Sequence, residues 1–140
     1  MFPAGLPLLL VPFALYNILV YLVPGFSWNQ EIWHVHMISG ADWGVTLGDA
    51  IVAASVVILL IEMLRAARRA SRRTILDHVL SMILFVAMLV EFLTIKGVVS
   101  STFFLLLVIS FVDVAAGFAV SIRSAPRDIL LDSAGGGAGV

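Results

Sequence analysis

Apolar and polar positions follow one another along this chain in long blocks rather than in fine stripes. Four apolar stretches, roughly residues 6–23, 45–64, 75–95 and 102–122, stand between shorter polar intervals. Each matches the ~20 helical residues that a bilayer crossing requires. Helix punctuation sits at their ends. Pro24-Gly25 closes the first stretch, Gly97 follows the third, and Pro126 lies beyond the fourth. Asp42 is placed to cap the second helix, Thr74–Asp77 reads as a capping box for the third, and Ser100, Ser101 or Thr102 can cap the fourth. The pattern predicts an all-α integral membrane protein, a four-transmembrane-helix bundle over residues 1–124. Residues 125–140, ending in the low-complexity run Ser-Ala-Gly-Gly-Gly-Ala-Gly-Val, are expected to form a flexible cytoplasmic tail. The first stretch lacks the basic start and small-residue cleavage site of a signal peptide, so it reads as a retained helix.

The longest polar interval, residues 27–44, carries its own helix signals. Ser27 with Gln30 forms another capping box, and Gly40 is a plausible stop. A short amphipathic helix over roughly 28–39 is the expectation for this first outer loop. Trp28, Trp33 and Trp43 all lie here, and indole rings favour the headgroup zone. The helix is therefore expected along the outer membrane surface, covering the mouth of the bundle.

Charge supplies the direction. Arg65, Arg68, Arg69, Arg72 and Arg73 cluster between the second and third stretches, and Arg123 and Arg127 follow the fourth. Lys96 alone lies at the opposite ends. By the positive-inside rule both termini and the arginine loop are cytoplasmic, in a multi-pass protein of the cell inner (plasma) membrane. Composition agrees. The chain is 61% hydrophobic and 12% charged, with mean hydropathy +1.12, whereas soluble domains are about a quarter charged. The bilayer is the first expected partner. A net charge of −1 offers nothing to nucleic acid, and the absence of cysteine excludes disulfides, thiolate metal sites and thiol redox chemistry.

Candidate chemistry then reduces to polar residues inside apolar stretches. Counting ~1.5 Å per residue, Asn17, Asp49 and Glu91 lie at similar depth below the outer helix ends, and Asp113 lies one to two turns deeper. This spacing predicts an outward-opening acidic pocket that ends at Asp113. A charged Asp at the bilayer centre costs ~2.5–3.5 kcal/mol on the lenient insertion scale. A proton, a partner or water must offset it. Ser110, Asp113, Gly117 and Ser121 form one helical stripe of small and polar residues, which suits a face turned inward. Gly40, Gly44 and Gly48 repeat at the four-residue spacing of helix packing motifs.

The functional expectation is a protein that binds or passes a proton, a cation or a small cationic ligand. The alternative is a non-catalytic accessory or assembly subunit of a larger membrane complex, with its carboxylates as structural locks. Four helices enclose little volume, so a homo-oligomer or a larger complex is expected. No nucleophile–base pair marks an enzyme. His34 and His36 are the weak metal candidates. On a helix their side chains diverge by about 200°, and a third zinc ligand is not evident. His78 lies at the opposite end of the bundle, so paired axial ligation of haem is not matched in depth, and no cofactor is expected. Glu62, next to the arginines, reads as a solvated helix end.

Overall fold

The computed structural model describes residues 6–68 and 73–135, with side chains for 6–68 and 75–119. The elements run in the order α1 (Leu10–Leu22), β1 (Glu31–His36), β2 (Asp42–Thr46), α2 (Leu47–Arg68), α3 (Arg73–Thr94) and α4 (Ser101–Gly135). A single 3-10 turn, Lys96–Val98, links α3 to α4. The chain is mostly helical. Among the described residues, three helical segments are long and apolar enough to cross a membrane: Leu47–Arg68, Ile75–Thr94 and Ser101–Ala119. α1 is a shorter apolar helix of 13 residues.

α1 begins later than its apolar stretch because prolines set its start. The Pro7 carbonyl accepts from Leu10 N–H and the Leu8 carbonyl from Val11 N–H, each at 3.1 Å, which makes a tight entry turn. Pro12 falls in the first turn, where its missing N–H costs little.

The polar interval is a β-hairpin, not the expected amphipathic helix. β1 and β2 pair antiparallel, with Trp33 opposite Val45, His34 opposite Gly44, Val35 opposite Trp43 and His36 opposite Asp42. Met37–Ala41 forms the turn, and Gly40 takes the left-handed conformation there (φ 85°). β-branched and aromatic residues at alternate positions favour the pleated strand. Ser27, read as a helix cap, instead receives Asn29 N–H in a turn ahead of β1. Gly40 and Gly44 therefore belong to the hairpin and play no part in helix packing. The hairpin base is tied to the helices by Leu47 N–H to Gln30 O (3.1 Å) and Gly48 N–H to Trp28 O (3.0 Å).

α4 lies at the centre and packs against both α2 and α3. Its start is capped by Ser100, whose hydroxyl accepts Phe103 N–H at 3.1 Å. At the hairpin end Tyr16, Val98 and Phe103 are fully enclosed. Gly48 lets α2 approach α4 there: a Cβ at Gly48 would stand 2.5 Å from Thr102 Oγ1. At the other end, α4 continues through Pro126 to Gly135, so the expected flexible tail is helical over most of its length. The side chains of Thr74 and Ser121 lie outside the described residues.

Candidate functional site

Three long helices each contribute an ionisable side chain to one cluster: Glu62 from α2, His78 from α3 and Asp113 from α4. Ser81 of α3 is buried beside them and hydrogen-bonds the Asp113 carboxyl, and His78 lies within electrostatic reach of that carboxyl. Asp113 and Glu62 are close enough for their charges to repel, and Asp77 adds to that field from α3. Glu62 Oε1 accepts Leu8 N–H at 3.3 Å, and Leu9 N–H also turns toward this carboxyl. The short α1 thus presents its unsatisfied N-terminal amides, and the positive end of its dipole, to Glu62.

Two polar atoms in this cluster, Glu62 Oε2 and His78 Nε2, are buried without a hydrogen-bond partner among the described residues. Such orphans are uncommon in folded proteins and cost about 1–3 kcal/mol each. The His78 ring is held against α4 at Gly117, where a Cβ would overlap it, and it meets the Phe118 ring edge-on at 5.6 Å. Ser110 and Gly117 both lie on the inward stripe expected for α4.

A second polar group sits nearer the hairpin. Glu91 Oε2 accepts from Asn17 Nδ2 at 3.3 Å, and Glu91 Oε1 from the Tyr21 hydroxyl at 3.4 Å. Asn17 Oδ1 is buried and unpartnered. Along α3, Ser81 and Glu91 are ~15 Å apart, and the buried side chains of Leu84 and Met88 fill the interval. Asn17 and Glu91, two of the four residues expected to form one acidic pocket, therefore meet each other, but they stand well apart from Asp113.

Asp49 joins neither group. It is exposed and closes a reciprocal cap at the start of α2. Its Oδ2 accepts from Thr46 N–H (2.9 Å) and Thr46 Oγ1 (2.8 Å), and Asp49 N–H donates back to Thr46 Oγ1 (3.1 Å). Thr46 thus takes the capping place expected of Asp42, which pairs with His36 Nδ1 at 2.5 Å in the hairpin. On a strand, His34 and His36 do share a face. His34 Nε2 lies 3.3 Å from Glu31, so each histidine is engaged with a carboxylate. Among the described residues no three His, Asp or Glu side chains gather as a metal-holding group.

Sequence reasoning reached Asp113 and missed its partners. Glu62 lies beside the arginine-rich loop and reads as a solvated helix end, and His78 enters only as a candidate haem ligand. The usable signal was register. Measured from the hairpin ends of their helices, Glu62, Ser81 and Asp113 all fall at ~18–23 Å.

The chain is thus defined as a mostly helical protein with, among the described residues, three helices long and apolar enough to cross a membrane and a cluster of ionisable groups among them. Protein-family models, curated proteins and solved structures offer no match to it.

Proposed function

We propose that this chain is a four-helix inner-membrane protein whose Asp113–Glu62–His78 cluster takes up a proton or a small cation. The arginine end is cytoplasmic in this reading, with both termini on that side, and the hairpin lies outside. One observation carries the proposal: two carboxyls and an imidazole from three helices converge among apolar segments, with Glu62 Oε2 and His78 Nε2 left unpartnered. Two like charges sharing a low-dielectric site repel strongly, and a shared proton or bound cation relieves that repulsion. The unpartnered atoms supply an acceptor and a nitrogen able to accept or donate. Glu91, Asn17 and Tyr21 form a separate polar station toward the outside, and Asp49 is a helix cap in this reading.

A second reading is favoured by the bonds the cluster already makes. Glu62 secures the start of α1 through Leu8, and Asp113 holds Ser81. These are the contacts of a structural lock, as an accessory or assembly subunit would need.

Thermal unfolding in detergent separates the two. Wild type, Asp113→Asn and Asp113→Leu are compared across pH, with and without sodium, potassium and calcium. Proton or cation uptake predicts a wild type whose Tm depends on pH or on one cation, and an Asn variant that folds stably without that response. A wild type indifferent to both, with an Asn variant that unfolds readily, would favour the lock.

A further inference from the structure

At the hairpin end a half-open cavity of about 490 Å³ lies between residues 20–29 and the α3–α4 connection, residues 97–102. Its size falls in the range of small-ligand sites. Phe26 and Trp28 form part of its wall, and the side chains of Ser27, Asn29, Ser101 and Thr102 supply neutral polar groups. No charged side chain lines it.

A second observation points to an occupant. Trp28 is 7% exposed, and its indole N–H is buried with no hydrogen-bond partner. Its ring stacks on Tyr16 at 4.5 Å with an interplanar angle of 3°. The Tyr16 phenol oxygen lies near the indole, but the indole N–H, which lies in the plane of a ring stacked parallel to the phenol, makes no hydrogen bond to it. The Tyr16 hydroxyl donates to the Val98 carbonyl (2.8 Å) and pairs with Ser100 Oγ (2.6 Å). Phe26 meets the indole nearly edge-on at 4.8 Å. With Tyr16 and Phe26 packed against it, the indole has its N–H left to offer, and indole donors usually find a partner when buried.

We infer that this cavity binds a neutral, carbonyl-bearing amphiphile whose oxygen accepts the Trp28 N–H and whose apolar body rests against Phe26. Two bilayer components present that chemistry, the ester region of a glycerolipid and the head of a quinone. The membrane reading above enters only in naming the bilayer as supplier. The cavity is separate from the Asp113 cluster, and the test does not depend on the cluster.

The test uses the full chain in detergent, labelled with ¹⁵N, so that the three tryptophans give three indole N–H resonances. Trp28→Phe assigns one of them. Dihexanoylglycerol and a short-tailed benzoquinone are titrated separately. The expected result is a saturable shift of the Trp28 resonance with one probe, which identifies the source, while Trp33 and Trp43 stay in place. By equilibrium dialysis, Trp28→Phe should weaken binding of that probe about ten-fold. Ser101→Met, an exposed position whose longer side chain fills the cavity, should abolish binding, and Asp113→Asn should leave it unchanged. The inference is overturned if neither probe gives a saturable shift, if all three resonances drift together as partitioning would make them, or if Ser101→Met binds as wild type does.

Discussion

The absent side chain of Gly117 sets where His78 lies. The imidazole occupies the space a Cβ would need, so the ring and α4 are in close contact beside Asp113. Gly117→Ala should force His78 out of place, lowering stability by about 1–3 kcal/mol as overpacking does. Thermal unfolding in detergent measures the loss, and any pH response of the wild type should weaken with it. Tyr16 is the counterpart at the hairpin end. Its hydroxyl bridges the Val98 carbonyl and Ser100, and the residue is 1% exposed. Tyr16→Phe should cost about 1–3 kcal/mol, because the Val98 carbonyl is left without that donor. At this scale the sequence was half legible. Asp113 is conspicuous because it interrupts an apolar run. Glu62 is not, because a carboxylate one turn from the start of an arginine cluster looks solvated until α1 is found to start beside it.

Among the elements, the hairpin departs furthest from the pattern of the chain. The register shifts between Glu31 and Trp33, so β1 carries one extra residue there. The shift places Glu31 on the same face as His34 and His36, opposite Thr46, Gly44 and Asp42. Trp33, Val35, Trp43 and Val45 occupy the other face. Trp33 is 69% exposed and Trp43 is 48% exposed on that apolar side, whereas Trp28 is buried in the core. In lipid vesicles, quenchers held at shallow depth should therefore quench Trp33 and Trp43. Single-tryptophan variants measure this, and quenching by aqueous agents alone would place the hairpin clear of the bilayer. The bulge also explains why a helix was the natural reading. It breaks the strict two-residue alternation, while Ser27 with Gln30 and Gly40 imitate helix ends. The long helices posed no such difficulty: α2, α3 and the start of α4 lie close to their predicted limits, because 20 apolar residues leave few alternatives. α1 came out short because its apolar stretch contains prolines whose effect depends on where the first turn forms.

For the whole molecule, direction and site stand or fall separately. Cysteines introduced one at a time at positions 70 and 130 should react only with reagents that reach the cytoplasm, and one at position 35 should react from outside. Labelling of position 70 from outside would reverse the orientation without touching the cluster. The cluster itself joins α2, α3 and α4 at one depth, with the start of α1 closing over Glu62. Uptake of a proton there would neutralise one carboxyl of a repelling pair, and a bound cation would do the same without a proton. Infrared difference spectroscopy of the protein in lipid, between low and high pH, observes that event on the carboxyl groups themselves. The account predicts a protonated-carboxyl band that appears and vanishes with pH, is lost in Asp113→Asn, and is shifted or lost in Glu62→Gln. In a cation-binding protein the same band should be displaced by the ion at fixed pH. A spectrum with no such band, unchanged by either substitution and by every cation tried, would contradict it.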